Sequence, residues 1–339
     1  MTGVESERED QPVADSQKSQ VILRGTTGRA VRDAVRECMQ ACDWERLVPK
    51  DATVVLKPNL CTAVPEKVHA SNTDPEITAA VCELLLTRTR RIIIGESDGL
   101  RQTADEAFAA SGYVELARRL DVTLMNFSKS PSSPVRCDPA GTLELPRALL
   151  EADVFMTLPV LKTHALTYFT GALKNQWGCL PQYDRILVHK YLDPLLVTLH
   201  RVFHPVLSVM DGIIAMEGRG PANGKPRRLD VVLASRDAVA LDATAMRLIG
   251  LEPDRSRHVV LTSAAGLGQM QPDQIEVDGD WAHYVTRFEP AILDKAIAAM
   301  DYMTRYRWFV KYALEKDYIF YPVRALVQML RRVGIVEGG

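Results

Sequence analysis

The sequence contains few of the features that mark secreted, membrane-spanning or nucleic-acid-binding proteins. Its 339 residues include only six cysteines, far below the density of a disulfide-stabilised scaffold. Forty-one Lys and Arg residues against 43 Asp and Glu residues give a formal charge of −2, so no global basic field is available for nucleic acid. No run reaches the ~18 consecutive apolar residues of a membrane-spanning helix, and the first residues are acidic and polar, unlike a signal peptide. We therefore expect a cytoplasmic protein without a nucleic-acid partner.

Several catalytic and cofactor motifs are also missing. The sequence has no GxxxxGK[ST], no GxGxxG after a strand, no CxxC and no HxH or HExxH. It therefore gives no signature of a P-loop, a dinucleotide site or a compact metal site. Cys38 and Cys42 are one helical turn apart, and we interpret them as buried packing residues. Cys179 follows a glycine, and a buried thiol is favoured there over a nucleophile.

The sequence does have the composition of a globular protein, 47% hydrophobic and 25% charged, with strand-like and helix-like segments in alternation. Residues 53–60 predict a buried strand, and residues 91–97 predict another. Between them, residues 73–88 predict a helix with Asp74 as its N-cap and Pro75 in its first turn. Because this alternation continues, we predict an α/β fold with a mostly parallel open sheet and helices on both faces.

Three segments in the middle of the chain continue the pattern. Residues 154–164 predict a strand that runs into a polar loop, and residues 166–178 predict a helix interrupted by glycines. A further strand is predicted to end at Asp211. Each of these segments delivers polar residues to the same edge of the predicted sheet.

Changes in polarity along the sequence indicate how the chain is divided into domains. Residues 1–18 have almost no apolar content and are expected to form a disordered tail. Two α/β subdomains are predicted at 19–130 and 131–285, because the loop at 128–141 is poor in apolar residues. A helical C-terminal extension is predicted at 286–339.

Lysines recur where the predicted strands end. In an open α/β sheet, ligands bind outside the carboxyl ends of the strands. Lys57, Lys162 and Lys174 each lie at a strand end or helix start, beside an Asn or a Thr-His pair. Because the lysine ammonium is a compact charge suited to phosphate or carboxylate, we predict a pocket for an anionic group. The residues assigned to substrate binding are Lys57, Asn59, Thr163, Lys174, Asn175, Gly218 and Gly220.

Proton transfer in such a pocket requires titratable groups. His164 has polar neighbours on both sides and is the best candidate for a general acid or base. Residues 95–99 and 216–221 place acids among glycines, where the backbone can approach a ligand closely. The predicted catalytic residues are His164, Lys162, Glu96, Asp98 and Glu217. Alternatively, the acids could hold a divalent cation that bridges to substrate phosphate, with Asp98, Asp211 and Glu217 as candidate ligands.

A family resemblance is carried by blocks at these same positions. Seven blocks occur in order, at 54–60, 73–76, 95–99, 158–167, 171–181, 209–221 and 233–250. Over about residues 50–270 the sequence resembles domain-of-unknown-function family 362. Many members of that family carry an appended ferredoxin-like module with two four-iron clusters, and this sequence lacks the cysteine run that such clusters need. Relatives of this single-domain kind imply a substrate that is anionic and either sugar-derived or lipid-linked.

The last segment departs from the family pattern. Eight of the 22 aromatic residues lie between Tyr302 and Tyr321, and residues 302–339 carry a local net charge of +4. Together with the amphipathic stretch at 322–334, this composition fits a helix at a membrane interface or on a partner protein, acting through residues 302–335. The alternative is a helical pair that packs on the protein's own sheet. The first alternative would place the protein peripherally at the inner membrane face.

These observations predict an enzyme in a biosynthetic pathway. It would act on a small or lipid- or sugar-linked anionic substrate by the proton transfer of an isomerase, epimerase or lyase. The alternative is a non-catalytic accessory protein that binds a ligand or metal and docks on a membrane or partner enzyme; an iron–sulfur-linked oxidoreductase ranks third. In the first case, Lys162→Ala or His164→Ala is expected to abolish turnover. In the second, the same changes would abolish ligand binding with no turnover to lose.

Overall fold

The computed structural model describes residues 18–99, 102–181, 183–292, 298–299, 302–309 and 312. Residues 1–17 of the predicted disordered tail and most of the predicted C-terminal extension lie outside these residues. The described part contains a helical turn at Arg307–Phe309, close to its end.

The strands of the described chain are numbered in chain order. They are β1 (Ser19–Gly25), β2 (Val54–Pro58), β3 (Ile92–Glu96), β4 (Thr123–Asn126), β5 (Ser132–Arg136), β6 (Thr142–Pro146), β7 (Val154–Leu158), β8 (Val160–His164), β9 (Tyr168–Phe169), β10 (Leu207–Glu217), β11 (Lys225–Ser235) and β12 (Ile275–Asp278). β5 and β6 form a separate antiparallel pair, and the other strands belong to one large sheet.

Helices occupy most of the connections between strands. They are α1 (Val31–Ala41), α2 (Trp44–Leu47), α3 (Val68–Ser71), α4 (Pro75–Leu85), α5 (Ala104–Ala110), α6 (Tyr113–Leu120), α7 (Arg147–Leu150), α8 (Gly171–Asn175), α9 (Leu192–Phe203), α10 (Ala238–Leu248), α11 (Arg257–Ala264) and α12 (Trp281–Tyr284). Shorter 3-10 segments lie at Pro65–Lys67, Phe127–Lys129, Gln176–Cys179, Tyr183–Tyr191, Pro253–Arg255 and Pro272–Gln274.

The large sheet has the order β12-β1-β11-β10-β7-β2-β3-β4, with β8 paired to β10 and β9 paired to β8. β7, β2, β3 and β4 are parallel neighbours, and β10 runs parallel to β7. β11 is antiparallel to both β1 and β10. The predicted α/β fold with a mostly parallel sheet is therefore confirmed, with one antiparallel strand inserted between β1 and β10.

Neighbouring residues along the strands face opposite sides of the sheet, and both sides are covered. Val54 and Leu56 pack with α1 and α4 on one face, whereas Val55 lies with α9 on the other. In β1, Ile22 faces the first layer, and Val21 packs against α10 on the second. Because both faces bury apolar side chains under helices, the strands consist of near-continuous apolar runs.

The start of α4 is as predicted. Asp74 accepts a hydrogen bond from Glu76 N at 2.8 Å, and Pro75 occupies the first helical position. This cap fixes where the connection that follows β2 enters α4.

The predicted helix at 166–178 is wrong in its first half, where Tyr168 and Phe169 form β9. The helix begins only at Gly171, because the Asp242 carboxylate accepts hydrogen bonds from Ala172 N and Leu173 N at 2.6 and 3.0 Å. Gly171 has φ +64, and a Cβ there would collide with Asp242. A buried carboxylate 71 residues away therefore sets this boundary, which local periodicity does not show.

Other predicted boundaries also differ. The strand expected to end at Asp211 continues to Glu217, because its second half pairs with β11 after a shift of register between Gly212 and Ile214. The predicted loop at 128–141 contains β5, which pairs with β6. The large sheet includes strands from both predicted subdomains, and the division of the chain into two stays a prediction.

None of the helices that the structure describes has both the length and the apolar character that spanning a bilayer requires.

Candidate functional site

A cavity of about 270 Å³ opens where β2, β3 and β8 end and α8 begins. Its lining consists mostly of polar and charged side chains, together with a few glycines and apolar residues. The lining residues are Lys57, Asn59, Leu60, Cys61, Glu96, Ser97, Gly99, Gln102, His164, Thr170, Lys174, Asn175, Trp177, Gly178, Arg185 and Pro221. Six of the sequence-predicted site residues are among them: Lys57, Asn59, Glu96, His164, Lys174 and Asn175.

Lys57 and Glu96 form a buried ion pair on one wall. Lys57 Nζ donates to Glu96 Oε2 at 2.6 Å and to Pro58 O at 2.6 Å. The carboxylate also accepts from Leu60 N at 3.1 Å and Ser97 N at 2.8 Å. Because each charge has its partner, this pair organises the wall and adds no net charge to the cavity.

Lys162 lies behind the cavity and does not line it. Its ammonium donates to Asn59 Oδ1 at 2.6 Å, Ser71 O at 2.7 Å and Cys61 Sγ at 3.4 Å. An ammonium has three N–H groups, so these acceptors use all of them. Burial lowers the pKa of Lys162. Its place in the structure is therefore that of a positioning residue, which holds Asn59 and Cys61 at the cavity wall.

Lys174 differs from the other two lysines. It projects from α8 into the cavity lining, with Nζ 5.7 Å from the centre of the Trp177 ring. This ammonium takes part in no hydrogen bond or ion pair with another described residue. Burial, with smaller effects of the charges on Arg185 and Lys162, lowers the pKa of Lys174 to about 7. Lys174 thus carries a charge that no residue in the described chain neutralises.

Arg185 adds a second cation on the same side. Its guanidinium donates from Nη1 to Leu180 O at 3.3 Å, and burial lowers its pKa. Arg185 belongs to the 3-10 segment Tyr183–Tyr191. Sequence reasoning missed it, because no strand end or glycine motif marks that segment.

His164 is held as a neutral imidazole. Its Nδ1 accepts hydrogen bonds from Leu166 N at 3.1 Å and Thr167 N at 3.2 Å, so the ring proton is on Nε2. Burial, reinforced by Lys174, lowers the pKa of His164 well below its usual value. The geometry therefore favours a hydrogen-bond donor at the cavity, and the role of His164 as a general acid or base stays a prediction.

Two hydroxyl groups of the lining have no partner in the described part of the chain. Ser97 and Thr170 are 3% and 4% exposed, and neither Ser97 Oγ nor Thr170 Oγ1 makes a hydrogen bond to a described residue. Buried hydroxyls are nearly always paired. Neither oxygen is therefore satisfied within the described chain, although both residues line the cavity.

Asn175 supports the floor of the cavity from α8. Its Nδ2 donates to Lys57 O at 2.9 Å and Thr157 Oγ1 at 2.8 Å. Because the amide is satisfied by these two bonds, Asn175 joins α8 to β2 and β7 and keeps Lys174 at a fixed distance from the strand ends.

The remaining predicted acids lie outside the lining, and each binds backbone. Asp98 accepts from Ala104 N at the start of α5, and Glu217 accepts from Glu289 N. Asp211 accepts from Asp74 N and Ile213 N, and burial raises its pKa to about 7. In the described ranges, no three His, Cys, Asp or Glu side chains are grouped so that they could hold a metal ion.

Thr163, Gly218 and Gly220 build the wall behind Pro221. Thr163 Oγ1 donates to Gly218 O at 3.0 Å, and a Cβ at Gly220 would collide with Thr163 O. Gly218 has φ +74, which favours glycine. These three residues therefore shape the cavity without lining it.

Several lining residues were not among the predicted ones. Cys61, Ser97, Gln102, Thr170, Trp177 and Arg185 all belong to this group. Cys61 follows the 54–60 block directly, and Ser97 lies between Glu96 and Asp98, so the strand-end rule covers both positions. The role of each residue depends on its hydrogen-bond partners, which the sequence does not show.

Comparisons with known proteins agree with the position of the cavity in the chain. Residues 54–247 match the sequence model of a family described as domain of unknown function (DUF362), and every lining residue lies within that range. A thylakoid-associated protein of Synechocystis is 32% identical over 207 residues, which cover 59% of this chain and 64% of that protein. The match thus spans less than two thirds of the relative's length.

One solved structure shows a more distant likeness. It is the lactate racemase apoprotein from Thermoanaerobacterium thermosaccharolyticum, with a TM-score of 0.43 and 14% sequence identity. The match covers 67% of this chain and 56% of that chain.

Proposed function

We propose, for a chain that belongs to the family described as domain of unknown function (DUF362), that the cavity binds a small organic anion and that the protein is an enzyme. The anion carries a phosphate or carboxylate, and the reaction moves a proton on that ligand, as an isomerase, epimerase or lyase does. The observation that carries the proposal is the place of Lys174 in the cavity lining, where its ammonium has no counter-charge among the described residues and its pKa is lowered to about 7.

The charges at the cavity favour an anion. Among the described lining residues, the cations are Lys57, Lys174 and Arg185, and the carboxylate is that of Glu96. Since Glu96 neutralises Lys57, Arg185 and the protonated form of Lys174 remain for a ligand. A buried cation without a counter-charge is unfavourable, and a bound anion relieves that cost.

The pKa of Lys174 supports proton transfer. A general acid or base works best when its pKa is near the operating pH, because both protonation states are then populated. At neutral pH, about half of the Lys174 side chains are protonated if the pKa is about 7. Lys174 can therefore take a proton from a bound ligand or return one to it.

The neutral polar groups would orient the ligand. His164 offers its Nε2–H, and Ser97 and Thr170 offer unpaired hydroxyls. Such donors stabilise negative charge that develops on a ligand oxygen when a proton leaves a neighbouring carbon. The cavity volume of about 270 Å³ is below the usual range for drug-sized ligands and suits a small metabolite.

Titration calorimetry with inorganic phosphate at pH 7 tests the binding half of the proposal. Lys174→Met removes an unneutralised charge from the cavity, so we expect the affinity for phosphate to fall at least tenfold. Lys50→Met is the matched control, because Lys50 is exposed and lies before the amino end of β2. Equal affinities of Lys174→Met and the wild type would refute the anion site.

Isotope exchange tests the catalytic half. Small anions released from the purified protein by mild denaturation are identified, then returned to fresh protein in D₂O. We expect deuterium to enter one C–H position of the bound anion, and Lys174→Met to abolish this exchange while Lys50→Met does not. Tight binding without any exchange would favour a non-catalytic ligand-binding protein.

A second candidate function is association with a membrane surface. The similar protein of Synechocystis is named as thylakoid-associated. In this chain, Tyr302, Tyr306, Trp308 and Tyr312 are each more than 40% exposed, within a segment that the sequence shows to be rich in aromatic and basic residues. Aromatic side chains with interleaved cations are typical of proteins that lie in a membrane interface.

Cosedimentation of the full chain with vesicles tests this second function. We expect the wild-type chain to bind vesicles that contain about 30% anionic lipid, because basic interfacial segments are attracted to anionic lipids. Trp308→Ser should bind the same vesicles roughly severalfold more weakly than the wild type. Val114→Ser is the control, because Val114 is an exposed apolar residue on α6. Equal sedimentation of Trp308→Ser and Val114→Ser would contradict a role for the aromatic segment.

A further inference from the structure

Cys61 differs from the other cysteines of this chain. All six are within the described residues, and five of them are buried, with 0–5% of their surface exposed: Cys38, Cys42, Cys82, Cys137 and Cys179. Cys61 is partly exposed and lines the cavity. Burial raises the pKa of the Cys42, Cys82 and Cys179 thiols to about 12, which keeps them unreactive.

The sulfur of Cys61 has a cation next to it. Lys162 Nζ lies 3.4 Å from Cys61 Sγ, and the carbonyl oxygens of Ser71 and Pro221 lie at 3.4 and 3.5 Å. A thiol can donate its proton to one of these carbonyls. Of the three acceptors that surround Lys162 Nζ, the sulfur is the one that can carry a full negative charge.

The Lys162 ammonium therefore places a positive charge beside the sulfur of Cys61, at 3.4 Å. Asn59 Oδ1 and Ser71 O are neutral oxygens, so the described hydrogen bonds of Lys162 include no carboxylate. The three N–H groups of Lys162 point at Asn59 Oδ1, Ser71 O and Cys61 Sγ. The ammonium therefore stabilises the sulfur from behind the cavity wall and does not enter the cavity.

We propose that Cys61 is a covalent nucleophile of this cavity, which adds to the carbonyl carbon of a small anionic substrate. The proposal deepens the proposed function and rests on its anion site. The Sγ–C bond forms as the S–H bond and the π bond of the carbonyl group break; the thiol proton leaves to water, and the π electron pair moves to the carbonyl oxygen. A proton from the Lys174 ammonium then neutralises that oxygen, so the net change is addition of the thiol across the carbonyl group and no further reactant is needed.

The lining supplies what this addition requires. The new oxyanion needs hydrogen-bond donors, and the hydroxyls of Ser97 and Thr170 are buried without a partner in the described chain. The neutral His164 adds an N–H. An ordinary packing thiol would be surrounded by apolar side chains and would need none of these donors.

Alkylation with two reagents of similar size tests the site on the native full-length protein. Iodoacetate is an anion and iodoacetamide is neutral; with either, the thiolate displaces iodide as the C–S bond forms and the C–I bond breaks. Peptide mass spectrometry locates the label, and free glutathione gives the reference rate for each reagent. We expect labelling at Cys61 alone, with a ratio of iodoacetate to iodoacetamide rates at least tenfold above that of glutathione.

Variants separate the contributions of the neighbouring cations. Cys61→Ser should remove the label, and Lys162→Met should slow both reagents at least tenfold because the counter-charge of the thiolate is lost. Lys174→Met should abolish the preference for iodoacetate and leave the iodoacetamide rate within about twofold, while Lys50→Met should change neither. Absence of label at Cys61 in the native protein, or an unchanged rate in Lys162→Met, would overturn the proposal.

The carbonyl step has its own readout. With glyoxylate labelled with ¹³C at its aldehyde carbon, the wild-type protein should show a hemithioacetal carbon resonance that Cys61→Ser lacks. Phosphate binding that depends on Lys174, without labelling of Cys61 or this resonance, would refute the nucleophile and leave the anion site intact. If Cys61 is labelled with the same ratio of iodoacetate to iodoacetamide rates as glutathione, and phosphate does not bind, both the nucleophile and the anion site are refuted.

Discussion

Lys57 Nζ and Glu96 Oε2 meet at 2.6 Å at the carboxyl ends of two neighbouring parallel strands, although 39 residues separate them in the sequence. Both side chains are more than nine-tenths buried. The pair joins β2 to β3 at the wall of the cavity that Cys61 and Ser97 also line.

Glu96→Gln is expected to destabilise the protein. The glutamine keeps the shape of the side chain but leaves Lys57 buried without a counter-charge, which costs about 3–5 kcal/mol when one partner of a buried pair is removed. Urea denaturation at pH 7 measures the loss. Glu115→Gln is the control, because Glu115 pairs with Arg118 on the exposed face of α6 and should show no measurable change. Equal midpoints for the two variants would contradict a stabilising role of the Lys57–Glu96 pair.

Anion binding should weaken as the pH rises through the pKa of Lys174. The ammonium is protonated below about pH 7 and neutral above it, so its attraction for an anion is complete at pH 6 and lost by pH 9. If binding requires the protonated form, the affinity falls up to about 100-fold between these values. Sulfate is the probe, because it stays doubly charged throughout this range.

The arginine variant provides the control for this pH dependence. Lys174→Arg keeps a positive charge at both pH values, so its sulfate affinity should differ by less than about threefold between them. A wild-type affinity that is independent of pH would show that Lys174 is not the group that titrates.

Much of the site could be predicted from the sequence because its residues follow strands. Short apolar runs located the ends of β2 and β3, and the rule that parallel strands end at one edge brings Lys57 and Glu96 together. Lys174 was found from its position beside Asn175 in a predicted helix, and it lies in the last turn of α8. These predictions need only the spacing of the apolar residues and the fact that parallel strands run in the same direction.

The roles within the site depended on contacts that no local pattern contains. Lys162 points behind the cavity because Asn59 and Ser71, about a hundred residues earlier, accept its hydrogen bonds. Asp98 binds the first turn of α5, and a carboxylate after a strand looks the same in the sequence whether it caps a helix or faces a ligand. Arg185 reaches the cavity from a 3-10 segment that carries no strand-end signal.

The stability of the protein should fall as the pH rises from about 4 to 8. Burial raises the pKa of Asp242 from 3.8 to about 8, so in this range the folded protein holds a proton that the unfolded chain has released. Asp242→Asn removes this linkage and should flatten the slope, by up to about 1.4 kcal/mol per pH unit. Urea denaturation at pH 5, 6, 7 and 8 measures it, with the exposed Asp273→Asn as control. A slope that Asp242→Asn leaves unchanged would argue against burial of this carboxyl as its cause.

Gly178→Ala should disturb the cavity through the ion pair. A Cβ at this position would lie 2.7 Å from Glu96 Oε1 and 2.8 Å from Lys57 Nζ, and neither atom can move far, because both are held by other hydrogen bonds. Inserting a methyl group into such a site costs about 1–3 kcal/mol of unfolding free energy. The loss of stability comes from a steric collision, so replacing Glu96 by the shorter aspartate should relieve that collision. The double variant Gly178→Ala with Glu96→Asp should therefore lose less stability than the sum of the two single variants in urea denaturation. Additive losses would mean that Gly178 is required for a reason other than the close approach of the Lys57–Glu96 pair.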